Sequence, residues 1–173
     1  MRAVESNHDR RLAYHPYDPY WCTEPLTSTC ENDMKVFISH AHSDKLLARN
    51  VAEALSRSGL EVWSDADVMP GDNWAEEHAE ALDSSQAMIV LLSPASLQSQ
   101  EVRSDISFAL GQQPYKDRVI PVVISSYDLL EYGDVPWVLK RMDAVNLDSF
   151  DQPEDAFRHI ADRIKNSLQP AED

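Results

Sequence analysis

The most constraining stretch of the chain is Gln86-Ala87-Met88-Ile89-Val90-Leu91-Leu92, an apolar run with no polar alternation after its first residue. A strand with one wet face alternates. This run leaves no face for water, so it reads as a strand buried on both sides, at the centre of a sheet. Ser93-Pro94 ends it, and Val102, Ile106, Ala109 and Leu110 then recur at helical spacing. A helix is therefore expected to spring from the strand's carboxyl end and pack back on the sheet. Glu101 and Asp105 stand on one flank of that helix, near the crevice where open α/β sheets bind ligands. That flank is the candidate active site.

The flanking stretches repeat the unit. Met34-Lys35-Val36-Phe37-Ile38-Ser39 reads as a first strand. Ser43 and Asp44 suit a helix start, Leu47, Val51 and Leu55 mark its buried stripe, and Gly59 closes it. Leu60-Glu61-Val62-Trp63 reads as a second strand, followed by a loop over 64–73 whose Pro70-Gly71 pair marks a turn. A helix from near Trp74 is expected to face Ala75, His78, Ala79 and Leu82 inward. Arg118-Val119-Ile120-Pro121-Val122-Val123-Ile124 reads as a fourth strand. Pro121 lacks an N–H, which limits it to a strand start, a bulge, or the side of an edge strand without a ladder partner. After an irregular segment with Pro136, Trp137 and a short apolar turn at Val138 and Leu139, Ala144-Val145-Asn146-Leu147 is a weaker fifth strand. Pro153, acidic Glu154 and Asp155, then Phe157, Ile160, Ala161, Ile164 and Leu168 at helical spacing mark the last helix. This alternation implies an α/β domain with a mainly parallel sheet covered by helices on both faces.

The patterned region runs over 34–169, with an irregular N-terminal extension over 1–33 and a tail over 170–173. The extension carries Tyr14, Tyr17, Tyr20 and Trp21 among Pro16, Pro19 and Pro25. It reads as a leader, or as an aromatic arm docking on the body or on a partner subunit. Thirty acidic residues against fifteen basic ones give a net charge of −15. That balance argues against nucleic acid and anionic membranes as partners, because binding phosphate needs a basic surface. No apolar run has the length of a membrane span and the N-terminus lacks a signal peptide's apolar centre, so a cytoplasmic protein is expected. Cys22 and Cys30 are the only cysteines, and both precede the patterned region. With His8 and His15 they lack the close paired spacing of a zinc site, so no metal is expected. None of the four glycines (59, 71, 111, 133) belongs to a phosphate-cradling loop, which excludes an ordinary dinucleotide fold.

Several stretches, in order, resemble the TIR (Toll/interleukin-1 receptor) domains, in particular the compact bacterial kind. They are Val36-Phe37-Ile38-Ser39-His40 with Asp44, Gly59-Leu60-Glu61-Val62-Trp63-Ser64-Asp65, Pro70-Gly71-Asp72-Asn73-Trp74, and Leu91-Leu92-Ser93-Pro94. Val102-Arg103-Ser104-Asp105-Ile106, Arg118-Val119-Ile120-Pro121-Val122 and Pro136-Trp137-Val138-Leu139 complete the set. The resemblance implies a five-stranded parallel sheet of flavodoxin-like order, with the loop over 65–73 as the family's mobile "BB loop". It further implies self-assembly through surfaces including that loop, with a partner protein able to supply the trigger. Many bacterial and plant members cleave NAD, as substrate and not cofactor, at the nicotinamide–ribose bond. Their essential glutamate lies in the helix after the third strand, often in a WxxxE motif. Here Asp105 takes the glutamate's position and Glu101 the tryptophan's.

Breaking an N-glycosidic bond builds positive charge on the ribose, which a nearby carboxylate stabilises. Aspartate keeps that charge but reaches ~1.5 Å less far, and a misplacement of ~1 Å can cost roughly 10²-fold in rate. Glu101 could contribute a second carboxylate or raise its neighbour's pKa. Equally, both are the acids a helix favours in its first turns. Ser39 and His40 at the first strand's end, Asp65 at the second's, Trp74 at a helix start and Ser93 at the third strand's end are the candidate ligand contacts. Each also has a structural account: Ser93 by turn chemistry, Trp74 by packing, His40 by hydrogen bonding. Two functions follow, an assembly-activated NAD glycohydrolase or cyclase, or an interaction module that scaffolds signalling. A phosphoacceptor receiver is excluded by Ser93 at the third strand's end and Asn146-Leu147 at the fifth's. A nucleoside deoxyribosyltransferase ranks behind on the Pro70–Trp74 and Pro136–Leu139 matches.

Overall fold

In the computed structural model, residues 34–65, 73–124 and 135–167 are described. The extension over 1–33, loop residues 66–72, Leu168 and the tail lie outside them. Five strands alternate with helices: β1 Lys35–Ser39, α1 Lys45–Arg57, β2 Glu61–Trp63, α2 Trp74–Ser84, β3 Ala87–Leu92, α3 Pro94–Gln98, α4 Gln100–Gly111, β4 Val119–Val123, β5 Val145–Asn146 and α5 Pro153–Asn166. The sheet order is β2-β1-β3-β4-β5, parallel at every pairing. This is the flavodoxin-like arrangement. From β1 the chain steps outward to β2, and from β3 it steps the other way to β4. The carboxyl ends of β1 and β3 therefore flank a switch point, where such sheets leave a crevice.

The apolar run does become the central buried strand, with every β3 side chain at most 2% exposed. Ala87, Ile89 and Leu91 join one core layer with Val51 and Leu55 of α1 and Phe157, Ile160 and Ile164 of α5. Met88, Val90 and Leu92 join the other with Ala81 and Leu82 of α2 and Val102, Ile106 and Ala109 of α4. Period two on a strand thus feeds two cores at once.

Four local expectations are corrected or sharpened. The single helix after β3 is two, because Ser99 takes an extended conformation (φ −70°, ψ 125°) between α3 and α4. Leu110 is 42% exposed, since α4 presents Val102, Ile106 and Ala109 to the sheet and the next residue points away. On α2, Ala75 and Ala79 face solvent, while Ala81 and Leu82 are buried and His78 is half-buried. Pro121 sits in mid-strand opposite Val90. Met88 N–H donates to the Arg118 carbonyl and Ile124 N–H to the Leu92 carbonyl, so the even residues of β4 address β3. The Pro121 nitrogen then faces the other side, where β5 pairs only with Val122 and Val123. The missing donor costs no ladder bond.

Candidate functional site

Ser39 ends β1 with its side chain 2% exposed at the residue level, and Asp105 on α4 is 4% exposed. The Ser39 hydroxyl donates to Asp105 Oδ2 at 2.8 Å, and His78 Nε2 on α2 lies 2.9 Å from Oδ1. Both carboxylate oxygens are thus occupied, one by a hydroxyl and one by an imidazole. A buried carboxylate needs such partners, because it has given up its water. Of the two readings of residue 105, a solvated first-turn acid and a carboxylate turned toward the crevice, the first does not fit a side chain this enclosed. Glu101, one turn earlier on α4, is exposed.

His78 is held among aromatic rings. Phe37 and Trp63 stand nearly perpendicular to it at 5.2 and 5.4 Å between centroids, and Trp74 is tilted against it at 4.9 Å. Trp74 is itself 36% exposed, which makes it a half-covered wall of the cluster. The hydrogen bond to Asp105 raises the His78 pKa against the opposing effect of burial, with the charges of Asp105, Asp65 and Glu101 adding to it. His78 Nδ1 is buried with no hydrogen-bond partner.

A second histidine–carboxylate pair lies at the ends of β1 and β2. His40 Nδ1 is 2.8 Å from the Ala41 carbonyl, which fits a donating N–H. Its Nε2 lies 2.5 Å from Asp65 Oδ1 and 3.3 Å from Ser64 Oγ. The Asp65 contact is close but poorly aligned, since Oδ1 meets no hydrogen-bond geometry. Burial by itself lowers the His40 pKa, but the Asp65 carboxylate, the Ala41 carbonyl and the charge of Asp44 outweigh it, and the net shift is upward. Burial likewise pushes Asp65 up, and His40, Lys45 and His78 outweigh it, so its pKa is lowered.

Ser93 follows β3 at its carboxyl end. It caps α3 through a reciprocal pair with Ser96, and its hydroxyl donates to Asp44 Oδ2 at 2.6 Å. The loops after β1 and β3 are thereby tied across the switch point.

The fold therefore joins Ser39 to Asp105 and His40 to Asp65, and sets Trp74 against the Asp105 partner. Glu101 reaches the cluster only through its charge. Of the 65–73 loop, only its ends Asp65 and Asn73 are described. His78, Asp44 and Ser64 were not singled out as site residues by sequence. The available signal was a histidine at an inward position of an otherwise apolar helical stripe, which has to find a polar partner.

Ser39 donates to a carboxylate, so it is not a hydroxyl activated by a histidine base. Among the described residues no group of three or more His, Cys, Asp or Glu side chains is placed to hold a metal. A groove of about 570 Å³ between α1 and α5 is lined by Leu47, Glu53, Arg57, Phe157 and neighbours, none of them in this cluster. What the cluster can do is hold a buried negative charge beside a titratable cation at the mouth of the sheet.

Comparison with known proteins agrees with this fold. The family model described as "TIR domain" matches residues 36–161. The curated Stimulator of interferon genes protein of Magallana gigas is 25% identical over 130 residues, covering 72% of this chain but 31% of that protein. Among solved structures, the TIR domain of a Toll-related receptor from Hydra magnipapillata superposes with a TM-score of 0.60 at 22% identity, over 76% of this chain and 98% of that one. A metazoan TIR-STING receptor from C. gigas, solved in complex with 2',3'-cGAMP, gives 0.56 at 24% identity, over 73% of this chain and 39% of that one. The chain thus spans about a third of the curated relative, and the two structural likenesses speak to the fold. With most of its length matched by the family model and its five parallel strands in the same arrangement, the chain belongs to the TIR domain family.

Proposed function

We propose that this TIR domain serves signal transduction in the cytoplasm, and that it does so by cleaving NAD at the nicotinamide–ribose bond, with Asp105 as the carboxylate that meets the ribose. The observation that supports this is the enclosed Asp105 beside the carboxyl ends of β1 and β3, 4% exposed. A buried acid in the crevice of an open sheet is costly for folding, and such groups gather at functional sites.

In the reaction the C–N bond breaks heterolytically. The electron pair leaves with nicotinamide, which departs neutral, and the positive charge remains on the sugar. Asp105 stabilises that charge. Water then takes the anomeric carbon and gives up a proton to solvent, or in a cyclase a nucleophilic atom of the adenine takes that carbon instead. Ser39 orients the carboxylate, while Trp74 and His40 with Asp65 line the approach. Ser93 holds the rim through Asp44, and Glu101 adds negative potential. Self-association through surfaces including the 65–73 loop would complete the site, and a partner protein would set the trigger.

The test is nicotinamide release from NAD by purified protein, with and without a crowding agent. Asp105→Ala should lower the rate by about 10²-fold or more. A second reading, an interaction module without catalysis, draws on the full engagement of both Asp105 oxygens. It is favoured if wild-type protein assembles but releases no nicotinamide, or if Asp105→Ala leaves the rate untouched.

A further inference from the structure

We infer that His78 is a positioning residue that gates Asp105: as imidazolium it neutralises the carboxylate, and the site accepts and ionises its substrate only when His78 is neutral. The inference rests on the NAD reading above and concerns the regulation of that same site.

The geometry leaves little alternative for this histidine. Its Nε2 is 2.9 Å from Asp105 Oδ1, with side chains 17% and 6% exposed, so little water screens the pair. Three acids bear on it electrostatically: Asp105 and Glu101 from α4, and Asp65 from the end of β2. Its other neighbours are the rings of Phe37 from β1, Trp63 from β2 and Trp74 from its own helix. Opposing protonation, Nδ1 is buried without a partner, and a proton placed there gains no hydrogen bond. The carboxylates hold the proton and the orphaned nitrogen resists it, which keeps the group titratable.

Reaction chemistry supplies the consequence. The nicotinamide ring of NAD is cationic before the bond breaks and neutral after, so its departure needs no proton from a general acid. An imidazolium touching Asp105 has nothing to donate to the leaving group. It repels the incoming ring and cancels the field that the ribose cation requires. A neutral imidazole with its hydrogen on Nε2 still donates to Oδ1, and so keeps the carboxylate in place without cancelling its charge. One proton separates a clamped site from a working one.

The experiment is the pH dependence of nicotinamide release from NAD between about pH 5 and 9, where histidine titrates. Wild-type rate should rise close to tenfold per pH unit and then level, as for a single deprotonation. Histidine-resolved NMR of the wild-type protein should show His78 titrating at that same midpoint, and Asp105→Asn should move its titration downward. In His78→Gln, whose amide nitrogen can replace the Nε2–H donor, the ratio of rates at high and low pH should collapse to within about threefold, while His40→Gln should keep the rising limb. A limb that survives His78→Gln, vanishes in His40→Gln instead, or has a midpoint apart from the His78 titration overturns the gate and leaves NAD cleavage standing. Wild-type protein with no turnover at any pH overturns the NAD reading, and the gate with it.

Discussion

A carboxylate 4% exposed has exchanged its hydration for two protein contacts, and the Asp105 environment is built from that exchange. Removing Ser39 as donor leaves Oδ2 without a partner, so Ser39→Ala should destabilise the domain by about 1–3 kcal/mol. Urea denaturation measures this, and a change within noise would mean that water replaces the hydroxyl. The two histidine pairs also set a pH window. His40 and His78 have raised pKa values in the folded state, so their contribution is complete below the ordinary 6.5 and is lost as pH rises through the folded values. Asp65 is lowered, so its contribution is complete above the ordinary 3.8 and is lost as pH falls through the folded value. Melting temperature should therefore be highest between these limits and decline on the alkaline side, and His40→Gln combined with His78→Gln should flatten that decline. At this scale the sequence disclosed Asp105 and Ser39 but not the partner that joins them to α2. His78 was legible as an inward position, and nothing in a one-dimensional pattern says which acid an inward histidine will meet.

The elements owe their boundaries to short-range chemistry, and where several signals compete the reading becomes harder. Ser93-Pro94 ends β3 as expected, yet the same serine also caps α3 through Ser96 and binds Asp44. Ser93→Ala should cost about 1–2 kcal/mol for the cap alone, seen as a lowered denaturation midpoint, and a loss below that range would assign the start of α3 to Pro94. The break at Ser99 escaped the pattern because Val102, Ile106 and Ala109 keep their stripe whether or not another helical turn precedes them. Gly59, at φ +83°, is where a left-handed residue ends α1. Pro121 is expected at a strand start, a bulge or an edge strand, and instead sits in the middle of β4, a strand flanked by β3 and β5. A proline forbids a donor on one side only, and the offset of β5 determines which side goes unserved.

Across the whole molecule, β3 joins both core layers, so damage there should spread. Leu91→Ala, at a site with no exposure, should cost about 2–5 kcal/mol in urea denaturation, whereas a loss under ~1 kcal/mol would mean that the layer of α1 and α5 closes over the cavity. The net charge of −15 opposes association of like chains. Raising salt from about 0.01 to 0.15 M shortens the screening length from about 30 to 8 Å, so sedimentation should show larger species at the higher salt, and dissociation instead would point to contacts built on opposite charges. The sequence by itself determined the strand and helix alternation and the doubly buried central strand, because hydrophobic period is a local property set by which faces meet water. Tertiary structure alone decided that residues 39, 78 and 105, drawn from one strand and two separate helices, share a single buried charge. Such contacts depend on sheet order and helix rotation, which no local period encodes.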